Sequence, residues 1–176
     1  MLPREGPISS KMEQAFEEPL RSSTASPPTA GADIFGYRIR DRLHPTEDAY
    51  FKAHQTVTGM AAKDGTIVLN PYSSLTPEEK QAVARNEATR LFMQDEKIVP
   101  DITLTPEQQK SLAGTAYATD ADAAKQTIVG RILSGDPSAG EPTPAQRQEA
   151  DRILRLMQER QSNREFDTGF IQESPR

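Results

Sequence analysis

The chain has 176 residues, 35% of them hydrophobic and 6% aromatic, with no Trp and no Cys, and its 21 Lys and Arg are outnumbered by 26 Asp and Glu for a net charge of -5. That length holds one domain with room for a long tail, and so low an apolar content predicts a small core with much of the rest extended or laid on a partner. Bases scattered among a larger number of acids argue against direct nucleic-acid binding, and the lack of Cys excludes disulfides and thiolate ligands. No apolar run is long enough to span a bilayer and no signal-type apolar region follows Met1, so the expectation is a protein without membrane insertion that starts out soluble in the cytoplasm.

Residues 1–33 carry Pro3, Pro7, Pro19, Pro27 and Pro28 among Ser, Thr, Gly and Ala, a spacing that stops any regular element early and predicts an extended arm. Within it, Met12, Ala15, Phe16 and Leu20 fall at helical spacing over Lys11–Leu20. Composition fits equally a disordered leader and a docking peptide that orders on a neighbouring subunit.

From Ile34 to Leu43 apolar and polar residues alternate as in a strand, with Arg38, Arg40 and Arg42 on one side and Tyr37, Ile39 and Leu43 towards the other. His44-Pro45 ends that element, and Thr46, Glu47 and Asp48 open a short helix near whose end His54 is placed to satisfy the last carbonyls. Neither His44 nor His54 lies in a ligand spacing, and no metal site or cofactor is expected. Gly65 to Met93 is the clearest stretch: a short strand over Thr66–Leu69 between the turn signals Asp64-Gly65 and Asn70-Pro71, then a helix with Thr76 as N-cap, Pro77 at its first position and Glu79 closing a capping box. Its packing stripe is Ala84, Ala88 and Leu91 with Val83 and Phe92 beside it; Glu87 lies at the margin, and Asn86 and Arg90 are expected to look away.

The device of Thr76-Pro77-Glu78-Glu79 recurs as Thr105-Pro106-Glu107-Gln108 and Thr143-Pro144-Ala145-Gln146, and each predicts a helix start. Between them Asp120 caps a helical stretch to Leu133 that Gly135-Asp136-Pro137 stops. The last helix is expected over Thr143–Gln161, burying Ala150, Ile153, Leu154 and Met157, with Phe166, Phe170 and Ile171 stranded in a polar tail. The expected architecture is therefore α+β and mainly helical: an extended arm (1–33), a small domain with a short strand pair and four to five helices (34–161), and a C-terminal tail (162–176).

Two resemblances bear on function. The strand GTIVLNP followed by a helix bearing Asn86, Glu87, Ala88, Thr89 and Arg90 is similar to the edge strand and active helix of zincin metallopeptidases, in which H-E-x-x-H holds Zn²⁺; the Glu is kept and both imidazoles are replaced. It implies, as an alternative, a hydrolase with Glu87 as base and ligands recruited from His44, His54 and nearby acids. More broadly, VLNPYSSLTPEEKQAVARNEATRLFM, LTPEQQ and QTIVGRILSGDPSAGEPTPAQ resemble small uncharacterised virion proteins of short-tailed phages and prophages. That resemblance implies a non-enzymatic structural component of the particle, an adaptor or accessory protein of the neck or tail, with no catalytic, cofactor or metal residues. Its partners are expected to be portal, adaptor or tail subunits and further copies of itself, bound through terminal arms that order only in the assembled particle. Such a protein sits in the host cytoplasm during assembly and in the virion afterwards. A bacterial effector secreted through the Ser- and Pro-rich leader is a third expectation.

Overall fold

A computed structural model describes residues 31–169, the side chains of 167–169 excepted. The helix predicted at Lys11–Leu20, the rest of the arm before Gly31, and Phe170 and Ile171 lie outside the described residues. Within them the fold is α+β and mostly helical, as expected. In chain order come strands β1 (Asp33–Ile34) and β2 (Tyr37–Arg38), helix α1 (Pro45–Ala53), strands β3 (Gly59–Ala61) and β4 (Ile67–Leu69), and helices α2 (Pro77–Asp95), α3 (Pro106–Leu112), α4 (Ala121–Ser134) and α5 (Pro144–Gly169).

Among the described residues the strands form two antiparallel ribbons, β1 with β2 and β3 with β4, joined where Ile39 bridges Ile67 in parallel and the Arg40 N–H donates to the Ile67 carbonyl at 2.9 Å. The stretch read as one strand from Ile34 to Leu43 is thus broken by a turn. Phe35 and Gly36 both take positive φ (52° and 82°), and Asp33 Oδ1 accepts the Gly36 N–H at 2.6 Å. β3 was not foreseen; Gly59 and the small Ala61 give it little strand propensity, and pairing with Ile67–Leu69 decides its conformation.

The alternation does hold locally. Tyr37 and Ile39 are buried while Arg38 is exposed. Arg40 is tied into the fold: its guanidinium donates to both Glu47 oxygens at 3.0 and 2.7 Å, and its Nε donates to Thr66 Oγ1 at 3.1 Å, which joins β2's continuation to α1 and to the residue before β4. This hydrogen-bonded partner holds the Glu47 carboxyl below the usual carboxylate range.

α2 is the central element. Its N-terminus carries the expected reciprocal cap, with Thr76 Oγ1 accepting the Glu79 N–H at 3.2 Å and Glu79 Oε2 accepting the Thr76 N–H at 2.7 Å. It buries Ala84, Glu87, Ala88, Thr89, Leu91, Phe92 and Met93, more than a single stripe, because the β3–β4 ribbon covers one side and α4 another. For the same reason Asn86 and Arg90 do not look away. Asn86 faces α4 at Gly130, where an added Cβ would overlap Asn86 Oδ1. A Gly→Ala exchange in a helix interior ordinarily gains about 0.5–1 kcal/mol, whereas overpacking a tight contact costs roughly 1–3 kcal/mol. Gly130→Ala is therefore expected to destabilise, and Asn86→Ala to relieve most of that loss in the double variant; chemical denaturation checks both, and a stabilised Gly130→Ala chain contradicts the tight crossing.

α3 and α5 begin with the same cap, and their N-termini meet. Gln108 and Gln146, 0% and 1% exposed, are the third helical residues of the two caps, and their amides pair reciprocally, each Nε2 donating to the other's Oε1 at 2.9 Å. The second lone pair of each oxygen takes its own cap amide, Thr105 N–H at 2.9 Å and Thr143 N–H at 3.2 Å. The remaining donors go to Ala139 O at 3.0 Å and Thr103 O at 2.7 Å. All donors and acceptors of two buried amides are used, the condition under which a buried polar pair specifies a fold instead of weakening it.

α4 is capped by Asp120, whose Oδ1 accepts the Asp122 and Ala123 N–H groups, and ends at Gly135 in the left-handed region (φ 72°), as the sequence predicts. α5 overruns its expected end at Gln161 and continues to Gly169. Arg160 anchors its outer half, donating to Tyr37 Oη at 3.1 Å and pairing with Glu96 at 3.0 Å, while Tyr37 Oη donates to Asp95 Oδ2 at 2.6 Å. Burial and the Asp95 acceptor push the Tyr37 hydroxyl far above its ordinary range, so it stays a donor.

Candidate functional site

The residues that resemble the zincin helix lie on the face of α2 that meets β3. Glu87 is 4% exposed. Its Oε2 accepts the Ala61 N–H at 3.1 Å and Arg90 Nη1 at 3.0 Å, and its Oε1 takes the same Arg90 nitrogen at 3.3 Å. The Arg90 guanidinium in turn lies 4.7 Å from the centre of the Tyr117 ring, in the 3-10 turn Ala116–Thr119 that precedes α4. Helical spacing makes the Glu87–Arg90 pair, since residues three apart share a face. The β3 residue opposite needs an acceptor for an N–H that its ribbon leaves unpaired. Glu87 thus stitches α2 to β3, and Arg90 extends the stitch to the start of α4.

Burial raises the Glu87 carboxyl above its ordinary range, against the opposing pull of Arg90 and the Ala61 amide. A carboxyl raised in the folded state favours folding when protonated, so its contribution is complete below the unfolded-state pKa and is lost as pH rises through the folded one. Glu87→Gln keeps an acceptor for Ala61 and carries no charge. The variant is expected to match the parent near pH 4 and to gain on it progressively towards pH 8, read by urea unfolding at several pH values. A Glu87→Gln chain that loses ground as pH rises contradicts this assignment.

The other residues of the hydrolase alternative are not brought to Glu87's contacts. His44 caps α1 at its N-terminus, with its backbone N–H donating to Glu47 Oε2 at 2.8 Å; His54 caps the other end, its Nδ1 donating to Tyr50 O at 2.9 Å and its ring stacked on Tyr50 with centroids 4.3 Å apart. Ten residues of helical rise separate the two histidines by roughly 15 Å, too far for two imidazoles to share one ion. No group of three or more His, Asp or Glu among the described residues is placed to hold a metal. At the motif's own ligand positions stand Asn86, packed on Gly130, and Arg90, engaged by Glu87, and an amide and a guanidinium do not replace two imidazoles on Zn²⁺.

Sequence reasoning singled out Glu87 and missed its partners. Arg90 was legible as an i,i+3 pair, but Ala61 belongs to a strand without a strand signature. Asn86 Oδ1 and Thr127 Oγ1, on the facing helices α2 and α4, are the buried side-chain atoms without a hydrogen-bond partner among the described residues. No helix among the described residues is long and apolar enough to cross a membrane. Comparison with known protein families, curated proteins and solved structures returned no match to this chain.

Proposed function

We propose that the chain is a non-enzymatic structural component of a tailed-phage particle, an adaptor or accessory protein of the neck or tail whose terminal arms bind neighbouring subunits, its own copies among them. The observation that carries the reading is the far end of α5. This helix is 26 residues long, about 39 Å at 1.5 Å per residue. It buries Ala150, Ile153 and Met157, is half-buried at Arg160 and Gln161, and is exposed at every residue from Ser162 to Phe166, with Phe166 78% accessible. A helix end that is exposed from Ser162 onward and carries an aromatic side chain 78% accessible is suited to a partner, and burying one such ring contributes roughly 1.5–3 kcal/mol. Glu87 fits the same reading, since both its oxygens are taken up by groups that join elements of the fold.

Self-association is the accessible test. By sedimentation or light scattering over a concentration series, the full chain is expected to form a closed oligomer, and Phe166→Ser to weaken it roughly tenfold or more without lowering the unfolding midpoint. A parent chain that stays monomeric at all concentrations, or a Phe166→Ser chain that assembles as well as the parent, argues against the helix end as an assembly element.

A further inference from the structure

We propose that the β1–β2 hairpin is a clasp on the outer half of α5, and that hairpin and helix end open as one unit while the rest of the fold stays closed. Met157 is the last buried residue of α5 among the described side chains. Past it, Arg160 ties the helix to the hairpin and to the end of α2. Its Nη1 donates to Tyr37 Oη at 3.1 Å and pairs with Glu96 at 3.0 Å, its Nη2 lies 3.6 Å from Asp95 Oδ2, and its guanidinium stands 5.6 Å from the centre of the Tyr37 ring and 5.5 Å from that of Phe92. Tyr37 Oη closes the set by donating to Asp95 Oδ2 at 2.6 Å. One helical turn further on, Arg164 lies against Gly36, where an added Cβ would meet its guanidinium. Two consecutive turns of α5 therefore bear on the hairpin.

Three features let this unit open before the core does. Each strand of the hairpin is two residues long, and a lone two-stranded ribbon is marginal in water, so the hairpin depends on its support. Its turn is strained. Phe35 holds φ 52°, a left-handed conformation uncommon for a bulky side chain, and is kept there by packing against the core and by the Asp33 carboxylate on the Gly36 amide. The stretch of α5 beyond Met157 is too short to remain helical by itself, and the carboxylates that hold it, Asp95 and Glu96, are 50% and 46% exposed, where ion pairs are weak. Lifting the hairpin thus unzips the ribbon and frays the helix end together.

Place in the chain gives that opening a consequence. Residues before Gly31 join the fold through this hairpin, and the exposed helix end that carries Phe166 continues from the segment it clasps. A partner that engages one end and favours the open clasp therefore favours engagement of the other end by linkage. This use rests on the assembly reading, whereas the clasp itself is a property of the isolated chain.

Native-state hydrogen exchange of the full chain in low concentrations of urea, read residue by residue by NMR, tests the clasp. The reporters are the Ile39 amide, which donates to Ala32 O at 2.8 Å, the amides of Gln161 to Glu165 in α5, and those of Ile128 and Val129 in α4. The hairpin and α5 reporters are expected to share one opening free energy and one urea dependence, both smaller than those of α4. Tyr37→Phe, which keeps the ring and removes the hydroxyl, is expected to speed exchange roughly tenfold at Ile39 and at Gln161 to Glu165 alike. Arg160→Met, made on the helix, is expected to speed it at Ile39 in the hairpin. Exchange at Gln161 to Glu165 that Tyr37→Phe leaves unmoved marks a helix end fraying by itself and overturns the clasp. Opening of either reporter set only at the cost of opening α4 overturns it too, since no separate unit then exists. A chain that shows the shared opening and stays monomeric at all concentrations keeps the clasp and refutes its use in assembly.

Discussion

Replacing Gln146 by Ala is expected to destabilise the fold by about 3 kcal/mol, since it strips partners from Gln108, the Thr103 carbonyl and the Thr143 amide at once, and each buried unsatisfied group costs about 1–3 kcal/mol. In a domain of this size that lowers the melting midpoint by on the order of 10 °C. Gln108→Ala should cost a similar amount, while the double variant should cost clearly less than the sum of the two, because the second truncation removes a group that the first has already orphaned. Gln146→Glu sharpens the test. A carboxylate there presents an oxygen to the Thr103 carbonyl where the amide donated, so it is destabilising at pH 7; on protonation the acid regains a donor and part of the loss is recovered. Additive costs at Gln108 and Gln146 contradict the reciprocal pair.

The second large effect is expected at Glu87. Truncation to Ala leaves the Arg90 guanidinium, which has 13% of its side chain exposed, without its carboxylate, and the Ala61 N–H without its acceptor. Breaking a buried ion pair from one side costs roughly 3–5 kcal/mol, whereas the Gln amide oxygen keeps an acceptor for the Ala61 N–H and Arg90 and removes a charge that burial already disfavours. The expected order of stability at pH 7 is therefore Glu87→Gln above the parent and Glu87→Ala well below it, read as denaturation midpoints. A catalytic base gives the reverse pattern, with little change in stability for either variant and an activity that the Gln variant loses entirely. The contrast separates the hydrolase alternative from a carboxylate that joins α2 to β3.

What the sequence made legible was local. The three Thr-Pro starts, the Asp120 cap, the Gly135 stop and the Thr66–Leu69 strand each rest on residues within a few positions of one another, and each is where it was expected. What was not legible depends on residues far apart. β3 exists because Ile67–Leu69 pairs with it, and Asn86 and Arg90 turn inward because α4, some forty residues later, packs on their side of α2. The amide pair of Gln108 and Gln146 sits between these cases. Its distant partner could not be read, yet a signal was present: the exposed cap of α2 ends in the acid Glu79, while the two buried caps carry the neutral amide, which can both donate and accept and carries no charge into the interior. The Glu87 site divides the same way, its position on α2 foreseen and its engagement by the strand and by Arg90 visible only in the fold.

The most direct measurement of the proposed role is quantitative mass spectrometry of purified phage particles released from cells that express the chain from its native locus, with portal and tail subunits as internal standards. The account predicts the chain in the particle at a fixed small-integer ratio to the portal, retained after high-salt washing together with the neck or tail fraction. Recovery of the chain only from the host lysate, with none in washed particles, would contradict it.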